Sequence, residues 1–397
     1  KGMEDFSRLG FPTARRGNEK WKYTNVAAIA DAEFSRATVP QEPLLLDSLK
    51  QSAPWSDLWA TVVFVNGVYS PELSNSTLNG DVQVVSLAEL VRHDGTFLET
   101  HLTSLAPTED DGFTALNTAF LNDGVLVKLT EGVQLDIPIH LLFYSTGQNE
   151  QFVTYPRVLM LVGNGATATV IESYVGAVDS SYFTNGVTEI IVGEEASIDH
   201  YRLADESDSA YHVGTARVVQ KEASTFRSRA FYRGVGLGRH DLQVTIDGSG
   251  SICDLAGLYL TTGRQHVDNF INIDHVRPES SSRLLYKGIL SGKSKAVFGG
   301  TVFVRKGAVK TDAIQSDRNL VLSPDAEIDS KPALFIWADD VKCGHGATAG
   351  NIDEETLFYM RSRGVDLDEA SRLLIYGFAS EVIDSVRVTD LGSYLEE

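Results

Sequence analysis

Val187-Thr188-Glu189-Ile190-Ile191-Val192 runs into Gly193-Glu194-Glu195-Ala196 and then into Ser197-Ile198-Asp199-His200-Tyr201-Arg202-Leu203. Both flanking runs are rich in β-branched and aromatic residues, and the break between them carries a glycine. Short runs of that composition bounded by turn formers are strands. The texture recurs at residues 158–162, 168–174, 213–219, 241–246, 255–260, 270–273, 297–304 and 333–337. Helical periodicity is almost absent between residues 126 and 340. A region of roughly 200 residues made of many short strands is an all-β unit: a sandwich, a barrel or a β-helix. The lack of a fixed repeat length counts against a propeller. One uninterrupted β region suits a solenoid, in which each rung stacks on the last. From the pattern alone, a β-helix and a double-sheet sandwich both stay open.

Working outward, residues 1–125 are mixed. Segments 44–49 and 86–93 read as helices, the second opening at Ser86 with Glu89 in the capping-box position. Residues 61–65 form a β-branched run ending in Asn66-Gly67, a hairpin-turn signal. Residues 113–121 read as a helix stopped by Asn122-Asp123-Gly124.

Residues 341–397 turn helical again. Asp353 is placed as a cap, with Ile352 and Leu357 as a hydrophobic staple. Arg361 and Arg363 fall in the last turn, and Gly364 stops the helix. Asp366 opens a second helix with Glu369 as its capping partner. That helix is apolar almost all round at Leu373, Leu374, Ile375, Tyr376, Phe378, Ala379, Val382 and Ile383, so it needs cover on two sides. Burial in its own domain and cover by a partner are both open. The tail, residues 391–397, is expected to fray. The expected organisation is therefore an N-terminal mixed helical region (1–125), a β core (126–340) and a C-terminal helical region (341–397).

The chain has 397 residues, with 34 Lys+Arg against 54 Asp+Glu and a formal net charge of −20. This acid excess argues against a nucleic-acid binder, which needs a cationic face, and no anionic membrane partner is expected. Its two cysteines, Cys253 and Cys343, exclude a disulfide-dense scaffold and a four-cysteine zinc site. They also exclude an all-cysteine iron–sulfur cluster held by one copy of the chain. Cys253 lies in the β zone and reads as buried and inert. No apolar run reaches about 18 residues, so no transmembrane helix is expected. Residues 1–10 lack a signal-peptide core. The expected location is cytoplasmic, with the plastid stroma as the alternative if a transit peptide has been removed upstream of Lys1.

Two glycine-rich stretches imitate nucleotide motifs. Gly288-Ile289-Leu290-Ser291-Gly292-Lys293-Ser294 has three residues between its glycines where a P-loop has four, and a strand rather than a helix follows. Gly234-Val235-Gly236-Leu237-Gly238 places its last glycine one position early for a dinucleotide fingerprint. Both read as turns. No nucleophile elbow and no H-E-x-x-H pair is present. Of the nine histidines, His240, His266 and His275 are expected to approach one another across adjacent strands, though as ordinary strand residues rather than metal ligands.

One cluster stands apart: Asp339-Asp340-Val341-Lys342-Cys343-Gly344-His345-Gly346, where the β zone meets the helical zone. Thiolate and imidazole both bind iron or zinc. A spacing of two places Cys343 and His345 on one side of an extended segment, glycines free the backbone, and Asp339 and Asp340 offer oxygen. A domain junction that merely contains these residues is the plain alternative.

This cluster, continued by Ala347-Thr348 and by Asp353-Glu354-Glu355-Thr356-Leu357-Phe358-Tyr359-Met360-Arg361-Ser362-Arg363-Gly364, resembles the C-terminal signature of the SufB/SufD family of iron–sulfur cluster assembly proteins. Lys310-Thr311-Asp312-Ala313, Arg318-Asn319-Leu320-Val321-Leu322-Ser323, Ala115-Leu116-Asn117-Thr118-Ala119-Phe120 and Tyr211-His212-Val213-Gly214 fit the same family. Gly10-Phe11-Pro12-Thr13 and Glu19-Lys20-Trp21-Lys22-Tyr23-Thr24 resemble the N-terminal motif on the SufD side of it.

The resemblance implies a right-handed parallel β-helix flanked by helical regions, and a non-catalytic scaffold that pairs with SufB and binds the ATPase SufC. It implies that SufC docks on the C-terminal helices, with Leu357, Tyr359, Leu373, Leu374, Ile375, Tyr376 and Phe378 as candidates. It makes His345 a candidate ligand for iron or a cluster at the SufB interface, with Cys343 beside it. The residue between them, often Ser in the family, is Gly344 here. No cofactor is then held tightly by the isolated chain. A transient iron–sulfur cluster is shared with SufB, and the isolated chain is a candidate homodimer. The competing readings are a stand-alone iron-binding protein and a β-helix enzyme acting on polysaccharide, whose polyanionic substrates the net charge disfavours.

Overall fold

The computed structural model describes residues 1–14, 18–38, 44–76, 78, 80–147 and 151–396. From Tyr182–Val192 onward each strand crosses to the opposite sheet and lies parallel to the strand two before it. The stacking is residue on residue: Thr225, Ile252, Ser281, Asp312 and Lys342 form one column. The result is a parallel β-solenoid of about eight turns, with a mixed N-terminal region and C-terminal helices. Parallel in-register pairing excludes the sandwich, whose neighbouring strands are antiparallel. The period varies from 26 residues (Tyr211 beside Leu237) to 32 (Lys295 beside Glu327), so no fixed repeat shows in the sequence.

The corners hold the rungs in step. Gly165, Glu195, Ala223, Gly250, Glu279, Lys310 and Asp340 all take left-handed φ, between 53° and 70°. The residues that follow the first six (Ala166, Ala196, Ser224, Ser251, Ser280 and Thr311) are buried. Backbone bonds link one corner to the next, such as Glu195 N–H to Glu222 O at 2.8 Å and Lys310 N–H to Asp340 O at 2.7 Å. Left-handed backbone is costly for a side-chain-bearing residue, and the stacked hydrogen bonds offset it.

Alternate residues point into a lumen packed with Val170, Ile198, Phe226, Leu255, Leu284 and their neighbours. On the outer face of the second sheet, Ile171, Leu203, Phe231, Leu258 and Ile289 receive the C-terminal helices through Ala379, Val382, Ile383 and Leu391. The expected helices form at Leu46–Ser52, Leu87–His101, Gly112–Phe120, Glu354–Ser362 and Leu367–Ile383. Ser86, Asp353 and Asp366 each accept a backbone N–H three residues on.

The tail does not fray. Thr389–Glu396 is a helix with Leu391 fully buried, and the Tyr394 hydroxyl donates to Asp205 at 2.8 Å. Glu397 lies outside the described residues. No helix among the described residues is long and apolar enough to cross a membrane.

The N-terminal motif is a clamp on the first sheet. Trp21 packs on Phe113, and the buried Arg239 guanidinium lies 4.0 Å from the Trp21 ring centroid. Lys20 bridges Asp111 (3.0 Å) and Asp241 (2.7 Å), while Glu19 reaches Lys331 in the last strand of that sheet at 2.5 Å. Burial is the largest influence on Lys20 and works against its charge, but the two carboxylates outweigh it and hold its pKa above the usual lysine value.

Candidate functional site

The solenoid ends in a rung with no further strand on it among the described residues. Glu327–Ile336 and Lys342–Gly350 are the last strands of their sheets, each paired on one side only. The edge bears an aromatic ladder: Phe303 stacks on Phe335 at 5.4 Å, Trp337 lies 6.1 Å from Phe335, and Arg305 lies against both Phe303 and Trp337. Phe335 and Trp337 are about half exposed (49% and 54%). Unpaired strand edges of this kind are templates for pairing with another chain.

Cys343 and His345 lie on this last strand. Register sets Cys343 on Ala313 and His345 on Gln315, both buried lumen positions. Both candidates therefore occupy one side of the strand, facing the lumen, as their spacing predicts. Cys343 is partly buried against the core, and burial pushes its thiol up, with a backbone hydrogen bond at Ala313 opposing. His345 is exposed at the open end. Asp339 and Asp340 sit in the exposed turn before the strand. Cys253 occupies the same column as Cys343, three rungs deeper through Ser282 and Ala313. It is fully buried, and burial raises its thiol strongly, as befits an inert cysteine.

Sequence reading missed the polar interior. In the middle rungs, Arg202 pairs with Glu172, which also accepts hydrogen bonds from Tyr174 (2.7 Å) and Thr188 (3.0 Å). Burial pushes the Glu172 carboxyl up, but Arg202 and its hydrogen-bond donors outweigh this and bring its pKa to about 2. Arg202 donates to His212 Nε2 at 2.9 Å, which fixes the Nδ1–H tautomer that donates to Glu206 at 2.5 Å. Orphaned polar atoms occur in the middle rungs, as at Gln220 Oε1, His240 Nδ1 and Asn269 Oδ1, and near the open end as well. Asp317 Oδ2 accepts from Ser330 (2.6 Å) and Asn319 (2.8 Å), but Asp317 Oδ1 and Gln315 Oε1 have no partner. Burial raises the Asp317 pKa to about 6 despite those two bonds. None of this polar set forms a sequence motif, because its members meet only through rung register.

The histidine expectation needs correction. His266 and His275 sit at opposite ends of one strand, and His240 pairs with Asn269 between them, so the three do not gather. Each has its own setting: His266 meets Thr24 (3.0 Å), and His275 meets Ser280 and Ser282 (2.7 and 2.9 Å). The false P-loop is the end of Ser281–Leu290, a turn, and the strand opening at Lys295; the second glycine run is the tight turn before Leu237. Among the described residues, no group of three or more His, Cys, Asp or Glu side chains is arranged to hold a metal.

The C-terminal helices present two faces. Phe358, Tyr359, Leu373 and Tyr376 are exposed, and Leu357 and Leu374 are half-buried. Ile375 and Phe378 pack towards the solenoid, and Lys287 lies 4.5 Å from the Phe378 ring centroid. Behind them is an apolar cavity of about 440 Å³ between Leu367–Ile383, the terminal helix and the second sheet.

Residues 143–378 match the family model "SUF system FeS cluster assembly, SufBD core domain", and residues 1–141 match "SufBD protein N-terminal region". The chain belongs to the SufB/SufD family. It is 32% identical to the iron–sulfur cluster assembly protein SufD of Escherichia coli, over 97% of this chain and 88% of that protein. A SufBD family protein of Synechocystis is 33% identical over 96% and 85% of the two chains. The chloroplastic protein ABCI7 of Arabidopsis thaliana is 31% identical over 95% and 80%. The family is one of iron–sulfur cluster assembly by the SUF system.

Proposed function

We propose that this chain is a non-catalytic scaffold subunit of SUF iron–sulfur cluster assembly. A SufB-like subunit pairs with the open terminal rung, and a SufC-like ATPase docks on the C-terminal helices through Leu357, Tyr359, Leu373, Leu374 and Tyr376. Ile375 and Phe378 support that surface from behind. The observation that carries this reading is the position of His345: exposed, lumen-facing, and on the last strand of an unpaired edge. A cluster under assembly must be held firmly enough to form and loosely enough to leave. One imidazole from this chain, completed by ligands from a partner, meets both needs, because separating the subunits dismantles the site. Among the described residues no group of three or more His, Cys, Asp or Glu side chains is arranged to hold a metal, which supports sharing. Cys343, partly buried and with its thiol raised, is the weaker ligand candidate. The isolated chain holds no cofactor tightly, and its free edge also suits a homodimer. The compartment is cytoplasmic, with the plastid stroma as the alternative.

The test is His345→Ala in the intact complex. The variant complex is expected to co-purify with its SufB-like and ATPase partners but to lose cluster formation. Normal maturation of client proteins in cells carrying the variant would end the ligand assignment.

A further inference from the structure

A cavity lies on the outer face of the first sheet, outside the lumen and away from Cys343 and His345. Phe270, Gly299, Ala333 and Phe335 alternate with inward residues such as Ile271, Phe298 and Leu334, so they face outward. In register, Gly299 stands between Phe270 and Lys331, and Thr301 stands beside Ala333. These small residues leave a gap between the Phe270 and Phe335 rings. A Cβ built at Gly299 would already lie 3.1 Å from the Phe270 ring, so the gap depends on this glycine. The N-terminal clamp roofs it with Lys20, Lys22 and Tyr23, and the enclosed space is about 300 Å³. Tyr23 and Phe335 stay exposed at its mouth.

Position and charge both point to an occupant. Lys331, Ala333 and Phe335 belong to Glu327–Ile336, the last strand of its sheet, so no strand walls the cavity on that side among the described residues. Whatever pairs with the open rung stands one strand spacing (about 4.8 Å) from it. In a chain of net charge −20, three lysines line the cavity against two carboxylates. Both carboxylates are already matched, Glu19 by Lys331 and Asp268 by Arg239, and Lys20 is held by Asp111 and Asp241. Among the described residues Lys22 forms no salt bridge, and its ammonium lies 4.8 Å from the Tyr23 ring centroid. An aromatic ring set between these rings, with a carboxylate against Lys22, matches such a lining.

We infer that the SufB-like partner reaches over the edge of Glu327–Ile336 and seats an aromatic side chain, flanked by a carboxylate, in this cavity under the clamp. The inference rests on the proposed pairing at the open rung and adds a second contact outside the lumen. Aromatic anchors in preformed pockets carry a large share of interface energy, whereas a rim charge mainly steers association. The clamp then has a task besides closing the fold, because it builds one wall of the partner's socket.

The test is calorimetric titration of the purified full-length chain with its SufB-like partner. Ala333→Trp fills the cavity and is expected to weaken pairing about tenfold or more. Lys22→Glu changes an exposed residue and leaves the fold intact. It is expected to weaken pairing about threefold at low salt, with the loss shrinking as salt screens the charge. An unaltered circular dichroism spectrum and thermal midpoint verify both variants. At saturating partner, amides of Lys342–Gly350 should be as protected from hydrogen exchange in the variants as in wild type, because the rung pairing itself is untouched. Wild-type affinity at low salt in either variant would overturn the cavity contact and keep the rung pairing. Weaker self-association with unchanged partner affinity would assign the cavity to a second copy of this chain and overturn it as well. Failure of the wild-type chain to pair at all would reject the proposed function, and this contact with it.

Discussion

The two ends of the solenoid are built in opposite ways. At the N-terminal end, Ala60–Val65 is buried along its whole length. Its free edge is closed by the chain itself: Val63 N–H donates to Ser74 Oγ at 2.9 Å, Thr61 N–H to Asn75 Oδ1 at 2.8 Å, and Ser70 N–H to Val63 O at 2.9 Å. On the other sheet, Val82–Ser86 runs antiparallel to Val125–Leu129, and Leu87 and Leu98 of the following helix pack beside it. At the C-terminal end, Lys342–Gly350 has no buried residue, and neither last strand has a second neighbour among the described residues. Solenoids need capped ends to remain soluble single chains. This chain caps one end itself, and under the proposed function a partner completes the other.

The largest expected effect sets the two ends directly against each other. Phe64 is buried at the capped end and stacks on Phe143 at 5.0 Å. Phe64→Ala should cost about 3–5 kcal/mol. Phe335→Ala, at the open end, should cost under about 1 kcal/mol in the isolated chain, because much of that ring is already in water. Denaturant titration of both variants checks this; equal losses would show that the open rung is a finished part of the fold.

A smaller effect probes the buried ion pair inside the middle rungs, where Arg202 meets Glu172. The Glu172 pKa is depressed to about 2, below the ordinary 4.5. Its ionised form therefore stabilises the fold above about pH 4.5, and that stability is lost as pH falls towards 2. The shift corresponds to about 3 kcal/mol. The stability difference between wild type and Glu172→Gln should be full at pH 7 and shrink steadily below pH 4.5. A difference that stays constant with pH would deny the Arg202 pairing its role.

Much of the fold was legible. Composition marked the β zone because strand residues cluster between turn formers, and caps at Ser86, Asp353 and Asp366 marked helix starts. The choice of solenoid over sandwich was not legible from pattern, since the period drifts between 26 and 32 residues. A signal did exist: a corner residue followed by a small buried one, as in Gly165-Ala166, Glu195-Ala196, Ala223-Ser224 and Glu279-Ser280. Only the backbone shows what those mixed residues share, a left-handed φ.

At the candidate site, the two-residue spacing placed Cys343 and His345 on one side of a strand. Gln315 and Asp317 stayed hidden, because their nearness to His345 depends on a register offset of 30 residues rather than on any local motif. The tail was misread because its short run of Leu391, Tyr394 and Leu395 looks weak alone and becomes a buried helix face only against the second sheet.

The central claim is that a partner completes the open rung. Hydrogen–deuterium exchange of this chain, alone and with its SufB-like partner, tests it most directly. Amides of Glu327–Ile336 and Lys342–Gly350 should exchange readily in the isolated chain and become protected in the pair, while those of Ala60–Val65 stay protected in both. Protection that appears elsewhere, with Lys342–Gly350 unchanged, would contradict the account.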